Sequence, residues 1–530
     1  MAYSALVLSF SVLLHSAVGL HHKKFPPDFQ FGAATSAYQV EGGWNASDKG
    51  VSIWDKFCHD HPELIIDKTN GDVSCDSYHQ WRQDVQICHN LGLDFYRFSI
   101  SWSRLLPTGF SNKVSKSGVK YYNNLINGLL EKNVRPVITL YHWDLPQLLQ
   151  ELGGWTNPLI TDWFAEYASV VFKLFADRVK MWVTINEPNL MCDLNYNTGF
   201  LAPRVKDPTT AAYLCNKHVL VAHAKAWRLY DRDYKRKYHG IMSIANHAVW
   251  MDPVNGDEED IIELAREHSI GRYTHPIYSK QGGWPPIVEK KIAEYSKEKG
   301  YATSRLPPFT QEEILLIRGS YDYLALNYYT SRLVRKARPG DDPGVFFDTG
   351  APELGLILEK DPEWPIIGHD FVPSYPKGLR SIVSWIRQQY GDLNFFVTEN
   401  GYGNTNPDLE DYDRVDYYRL HLEQILNSIH DDGANITGFT AWSLIDNFEW
   451  ISGYTQKFGL HQVDFTDPER KRIPRASAHF FADLIKRRTL DIPIKKHLHK
   501  REHTHSGNST VINDLNCLFI SFVILVYTLH

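Results

Sequence analysis

Cysteine is scarce: six residues in 530, too few to hold a chain of this size together, so the fold must rest on a buried core. Neither sign of charge dominates. Fifty-six Lys and Arg stand against 62 Asp and Glu, a formal −6, which leaves no overall basic surface for nucleic acid. No low-complexity linker or shift of composition interrupts residues 25–490. Aromatic residues, by contrast, are plentiful. The chain is 43% hydrophobic, with 15 Trp, 29 Tyr and 26 Phe, which excludes a disordered, collagen-like or disulfide-scaffold protein. Such a chain is a large soluble globule of the kind that carries an enzyme.

Both ends read as addresses. Residues 1–20 carry a short apolar run, Ala5–Leu14, then Ala17-Val18-Gly19, the layout of a cleaved secretory signal despite a leader without Lys or Arg. At the other end Leu515–Leu529 is apolar and shorter than the roughly 20 residues of a spanning helix. Ser506-Gly507-Asn508-Ser509 and a polar spacer precede it. Residues 491–508 read as a polar, basic stalk and 509–530 as the tail of a glycosylphosphatidylinositol attachment signal. A short tail anchor and a tail docked on the globule are the alternatives. Sequons at Asn45, Asn435 and Asn508 fit an exported, cell-surface chain. Cys58 with Cys75, and Cys192 with Cys215, are plausible loop bridges, though connectivity is not set by spacing.

Between the ends, eight short runs rich in β-branched and aromatic residues recur: Phe29–Ala34, Leu93–Ile100, Arg135–Leu140, Met181–Ile185, Ile241–Ala245, Tyr323–Asn327, Phe395–Thr398 and Thr437–Trp442. Segments of helical period separate them, among them Asp76–Leu91, Lys116–Lys132, Leu159–Phe175 and Pro376–Tyr390. Eight strands alternating with helices predict an α/β fold, a single (β/α)8 TIM barrel with extended βα loops over 21–490. Lys336–Phe371, rich in Pro, Gly and Asp, reads as a long loop between the sixth and seventh strands.

In such a barrel the chemistry sits at the C-terminal strand ends. Glu187 follows the fourth strand in Trp182–Pro188, and Glu399 follows the seventh in Phe396–Gly401. Converging carboxylates are what glycosidic cleavage needs, one to protonate the leaving oxygen and one to attack or activate water. His142-Trp143-Asp144, Trp442-Ser443-Leu444 and Asp446–Trp450 add indole faces for a pyranose ring and polar groups for its hydroxyls. Each Trp alone reads as core; the set, gathered at strand ends, does not.

These residues lie in segments that resemble glycoside hydrolase family 1, the β-glucosidase family. The matching stretches are FQFGAATSAYQVEG (29–42), YRFSISWSR (96–104), TLYHWDLP (139–146), TINEP (184–188), LNYYTS (326–331), VTENG (397–401) and WSLIDNFEW (442–450). The overall character is similar to secreted animal and insect β-glucosidases. The resemblance implies hydrolysis of terminal β-D-glucosides, and of β-galactosides or β-fucosides, by a retaining double displacement. Glu187 would be the acid/base and Glu399 the nucleophile, with carboxyls about 5–5.5 Å apart. Arg97 and Tyr329 would orient the nucleophile. Gln39, His142, Asn186, Tyr329, Trp442, Glu449 and Trp450 would bind substrate. No cofactor or metal is implied, and the partner is a small-molecule β-glycoside.

Departures from relatives sharpen this. Plant thioglucosidases of the family carry Gln where Glu187 stands, but animal ones retain Glu, so a myrosinase-like activity stays open. Klotho-like surface binding proteins lose a catalytic Glu; here both are present. Phe371 stands where many relatives have Trp, which puts the aglycone in question.

Overall fold

The computed structural model describes residues 23–254, 259–344, 350–365, 372–406 and 408–493. Each of the eight runs forms a strand: β1 (Gln30–Ala34), β2 (Phe95–Ser99), β3 (Arg135–Tyr141), β4 (Met181–Asn186), β5 (Ile241–Pro253), β6 (Leu324–Lys336), β7 (Phe395–Asn400) and β8 (Ile436–Trp442). All pair in parallel with the next in chain order, and β8 returns to β1 from Gln30↔Gly438 to Ala34↔Trp442. The ring of eight is therefore closed and leaves no edge within it.

The four helices expected from periodicity are present as Ser77–Leu91, Lys116–Glu131, Ile160–Phe175 and Pro376–Tyr390. In Lys116–Glu131 the side chains of Tyr121, Tyr122, Leu125, Ile126 and Leu129 are buried along one face, while Ser115 Oγ caps the start by accepting from the Gly118 N–H at 3.0 Å. Inside the ring, Phe95, Val137, Met181, Val183, Ala245, Tyr323, Ala325 and Phe396 fill the core. Glycines on β1 and β8 make room for the two Phe rings. A Cβ on Gly32 would fall 2.3 Å from Phe95, and one on Gly438 2.2 Å from Phe396. The ring interior is thus packed, and the strand ends are left for polar groups.

Several expectations are corrected. The excursion after β6 is not all loop: β6 runs to Lys336, and a hairpin of Gly350–Ala351 and Leu356–Glu359 pairs with it through Leu333↔Glu359. Cys192 and Cys215 form a disulfide, but Cys58 and Cys75 do not, and with Cys88 they are buried free thiols. Each sulfur has its own neighbour: Tyr38 Oη donates to Cys58 Sγ at 3.3 Å, and Cys75 Sγ donates to Asp446 O at 2.9 Å. Burial pushes both thiols up to about 12. Asn45 and Asn435 are exposed. Asn508, Phe371, residues 1–20 and the tail 509–530 lie outside the described residues. Among the described residues, no helix is long and apolar enough to cross a membrane.

Candidate active site

Arg97, from β2, ties the two strand-end carboxylates into one network. It is 1% exposed and serves four acceptors. Nη1 donates to Glu399 Oε1 at 2.6 Å and to Thr398 O at 2.8 Å, Nη2 to Asn186 Oδ1 at 2.7 Å, and Nε to Thr139 Oγ1 at 3.0 Å. Tyr329, from β6, donates its hydroxyl to Glu399 Oε2 at 2.8 Å. Both oxygens of Glu399 are therefore held, one by a cation. Burial pushes this carboxyl up, to about 7; Arg97 opposes the rise, and the nearby Glu187 adds to it.

Glu187 leaves β4 with φ at 44°, in the left-handed region, and Pro188 opens the helix that follows. Its N–H donates to Ala245 O at 2.8 Å, which fixes the turn against β5. Trp143 (φ 75°) and Trp450 (φ 52°) share this conformation, which costs about 1–2 kcal/mol per non-glycine residue, so three strained positions gather at one site. Asn327 Nδ2 donates to Glu187 Oε1 at 3.0 Å and to Asn186 Oδ1 at 3.1 Å. Its amide is oriented by Thr398 Oγ1, which donates to Asn327 Oδ1 at 2.6 Å. His247 Nδ1 lies 3.2 Å from the same Glu187 Oε1.

Asn186 and His142 join this network to the aromatic wall. Because Asn186 Oδ1 accepts from Arg97 and Asn327, its Nδ2 must be the donor to His142 Nε2, at 3.2 Å. That leaves the His142 proton on Nδ1, which has no protein partner among the described residues. Burial, with the Arg97 charge behind it, holds His142 well below the usual imidazole range, so the ring is neutral and offers one N–H. Trp442 lies near-parallel to it at 5.7 Å and Trp450 at 6.0 Å, while Trp143 Nε1 donates to Asn186 O at 3.0 Å. Gln39 Nε2 faces Asn447 Oδ1 at 2.9 Å, Phe448 O at 3.0 Å and Glu449 Oε2 at 3.2 Å. Glu449 is pushed up to about 8, first by burial and then by the charge of Glu399. Gly401 admits the close approach of β7 to β8, since a Cβ there would fall 2.0 Å from Trp442 O.

Every candidate catalytic and substrate-binding residue read from the sequence thus meets in one cluster. Asn327, His247, Thr139 and Thr398 belong to it as well and were not anticipated, and Trp143, expected as an indole face, joins through Asn186 O. Asn327 ends a strand run, where an amide stands out less than an acid. His247 lies beyond Ala245, the end of the predicted fifth run, while the strand continues to Pro253.

A closed ring of parallel strands with two carboxylates at its C-terminal end, one held by Arg and Tyr and the other beside an Asn amide and a His ring, and with Trp faces beside them, defines a glycosidase. Comparison with known proteins gives the family: the chain belongs to glycosyl hydrolase family 1, whose sequence profile matches residues 21–490. It is 44% identical to Myrosinase 1 of Brevicoryne brassicae over 466 residues, 87% of this chain and 98% of that protein. Identity to the cytosolic β-glucosidase of Cavia porcellus is 40% over 474 residues, 88% and 99% of the two chains. Human lactase/phlorizin hydrolase is 42% identical over 468 residues, 88% of this chain and 24% of that protein. Among solved structures, an aphid myrosinase superposes with a TM-score of 0.83 at 43% identity, covering 87% of this chain and 99% of that one. A rice β-glucosidase gives 0.80 at 33% identity, covering 87% and 98%. The chain is an O-glycosyl hydrolase of this β-glycosidase family.

Proposed function

We propose that the protein hydrolyses terminal β-D-glucosides with retention, through a glycosyl-enzyme on Glu399. The carrying observation is the unequal setting of the two carboxylates. Arg97 and Tyr329 stabilise Glu399 as an anion aimed at the anomeric carbon, whereas Glu187 Oε1 meets, among the described residues, the amide of Asn327 and the imidazole of His247. A Glu399 oxygen bonds to C1 as the C1–O bond breaks, and the Glu187 proton passes to the departing oxygen. Water then attacks C1, giving its proton to Glu187 and releasing Glu399. Gln39, Glu449, His142 Nδ1–H and Asn186 would hold the sugar hydroxyls, with Trp442 beneath the ring.

Similarity to a myrosinase supports a second reading, thioglucoside cleavage, which a protonatable Glu187 does not forbid. Export is supported by the Cys192–Cys215 disulfide and the exposed Asn45 and Asn435. Initial rates on aryl β-glucosides, β-galactosides, β-fucosides and thioglucosides test the proposal, with Glu399→Gln alongside. Turnover of the O-glucoside that the substitution abolishes is expected. Folded protein inert on every substrate would leave a klotho-like binding role.

A further inference from the structure

His247, from β5, touches the surroundings of both catalytic carboxylates. Its Nδ1 is 3.2 Å from Glu187 Oε1, and its ring lies 6.2 Å from that of Tyr329 at 23°, the residue that donates to Glu399 Oε2. It is held firmly. Asn189 Nδ2, two residues past Glu187, donates to His247 O at 2.8 Å, and the Glu187 N–H donates to Ala245 O. The acid/base and His247 therefore sit on backbone segments bonded to each other.

We propose that His247 is a positioning residue that decides which oxygen of Glu187 carries the transferable proton. Because the Asn327 amide is oriented by Thr398, it must present N–H to Oε1. We assign the Nδ1–H tautomer to His247; Oε1 then accepts twice, and the carboxyl proton rests on Oε2. As that proton passes to the departing oxygen, Glu187 becomes an anion and both N–H bonds to Oε1 strengthen. The donors thus stabilise the charge that develops in the transition state more than the neutral acid that precedes it. The titratable groups facing this imidazole include Glu187 from the turn after β4 and Tyr329 from β6, both interacting with Glu399 of β7, which Arg97 of β2 holds. The proposal rests on Glu187 being the acid/base.

The test is kcat/KM for aryl β-glucosides spanning good and poor leaving groups, measured on the wild type, His247→Phe and His247→Asn. Phe keeps a ring against Tyr329 and removes the donor; Asn keeps a donor. His247→Phe is expected to lose about tenfold or more on a poorly leaving methoxyphenyl glucoside, the cost of one hydrogen bond to a charged group. It should lose little on the dinitrophenyl glucoside, whose departure needs no proton. His247→Asn should recover most of the loss, and the alkaline limb of the His247→Phe profile should move to higher pH. An equal loss on every leaving group, or none, overturns the proposal. His247→Leu, read in the same way, replaces the Phe variant where that does not fold. Wild-type protein without turnover would refute the hydrolase reading itself, before any variant is compared.

Discussion

Replacing Tyr329 with Phe removes one oxygen from the setting of Glu399 and leaves the ring that lies against His247 and Phe458. The lost bond is the 2.8 Å donation to Oε2; Arg97 stays on Oε1 at 2.6 Å. A hydrogen bond to a charged group contributes about 1.5–3 kcal/mol, and about 1.4 kcal/mol corresponds to one pH unit, so the acidic limb of kcat/KM should rise by about 1–2 pH units. The direction follows from the role: Glu399 acts as an anion, its carboxyl already stands above the ordinary range through burial, and losing a donor raises it further. Stability carries the same signature. A carboxyl raised in the folded state holds its proton more tightly there than in the unfolded chain, so its contribution declines as pH climbs from the ordinary carboxylate range to about 7. Tyr329→Phe should therefore melt like the wild type near pH 4 and below it at pH 8. Rates and melting temperatures across that range are the assay. A limb that stays in place, with activity lowered equally at every pH, would refute the reasoning.

Glu449→Gln mimics the protonated form of a carboxyl that burial, then the charge of Glu399, pushes up to about 8; KM for glucosides should rise, and the acidic limb of kcat/KM, which lies below that pH, should stay in place. Substituting Cys192 and Cys215 by Ala together frees a loop of sequence separation 23 and should cost about 3 kcal/mol, seen as a lower melting temperature with activity at 25 °C retained. Asp144 is buried with Oδ1 lacking a partner among the described residues, and burial, then the charge of Glu41, holds its carboxyl well above the usual range. Asp144→Asn mimics the neutral acid, so its melting temperature relative to the wild type should improve as pH rises from 4 to 8. A constant deficit would contradict that.

All eight strands and the two carboxylates were legible because each rests on local pattern: β-branched runs for the strands, and an acid directly after them for Glu187 and Glu399. What the sequence could not display was pairing across the ring. Arg97 and Thr139 lie on neighbouring strands and meet only through the β2–β3 register, which pairs Arg97 with Val137 and Ser99 with Thr139. His247 reaches Glu187 because β5 runs on past Ala245 to Pro253, and the polar Asn246-His247 pair breaks the apolar pattern before it resumes at Ala248–Met251. The Cys58–Cys75 expectation failed because separation along the chain says nothing of where a sulfur points. Cys58 Sγ meets Tyr38 Oη and Cys75 Sγ meets Asp446 O instead of each other.

The central claim is that Glu399 forms a covalent bond to the sugar. Incubation with 2-deoxy-2-fluoro-β-glucosyl fluoride, which slows release of the glycosyl-enzyme more than its formation, followed by peptide mass analysis, tests it directly. The account predicts a single fluoroglucosyl adduct on the peptide bearing Glu399, formed in the wild type and absent from Glu399→Gln. An adduct on another residue, or steady turnover giving the inverted sugar with no adduct, would contradict it.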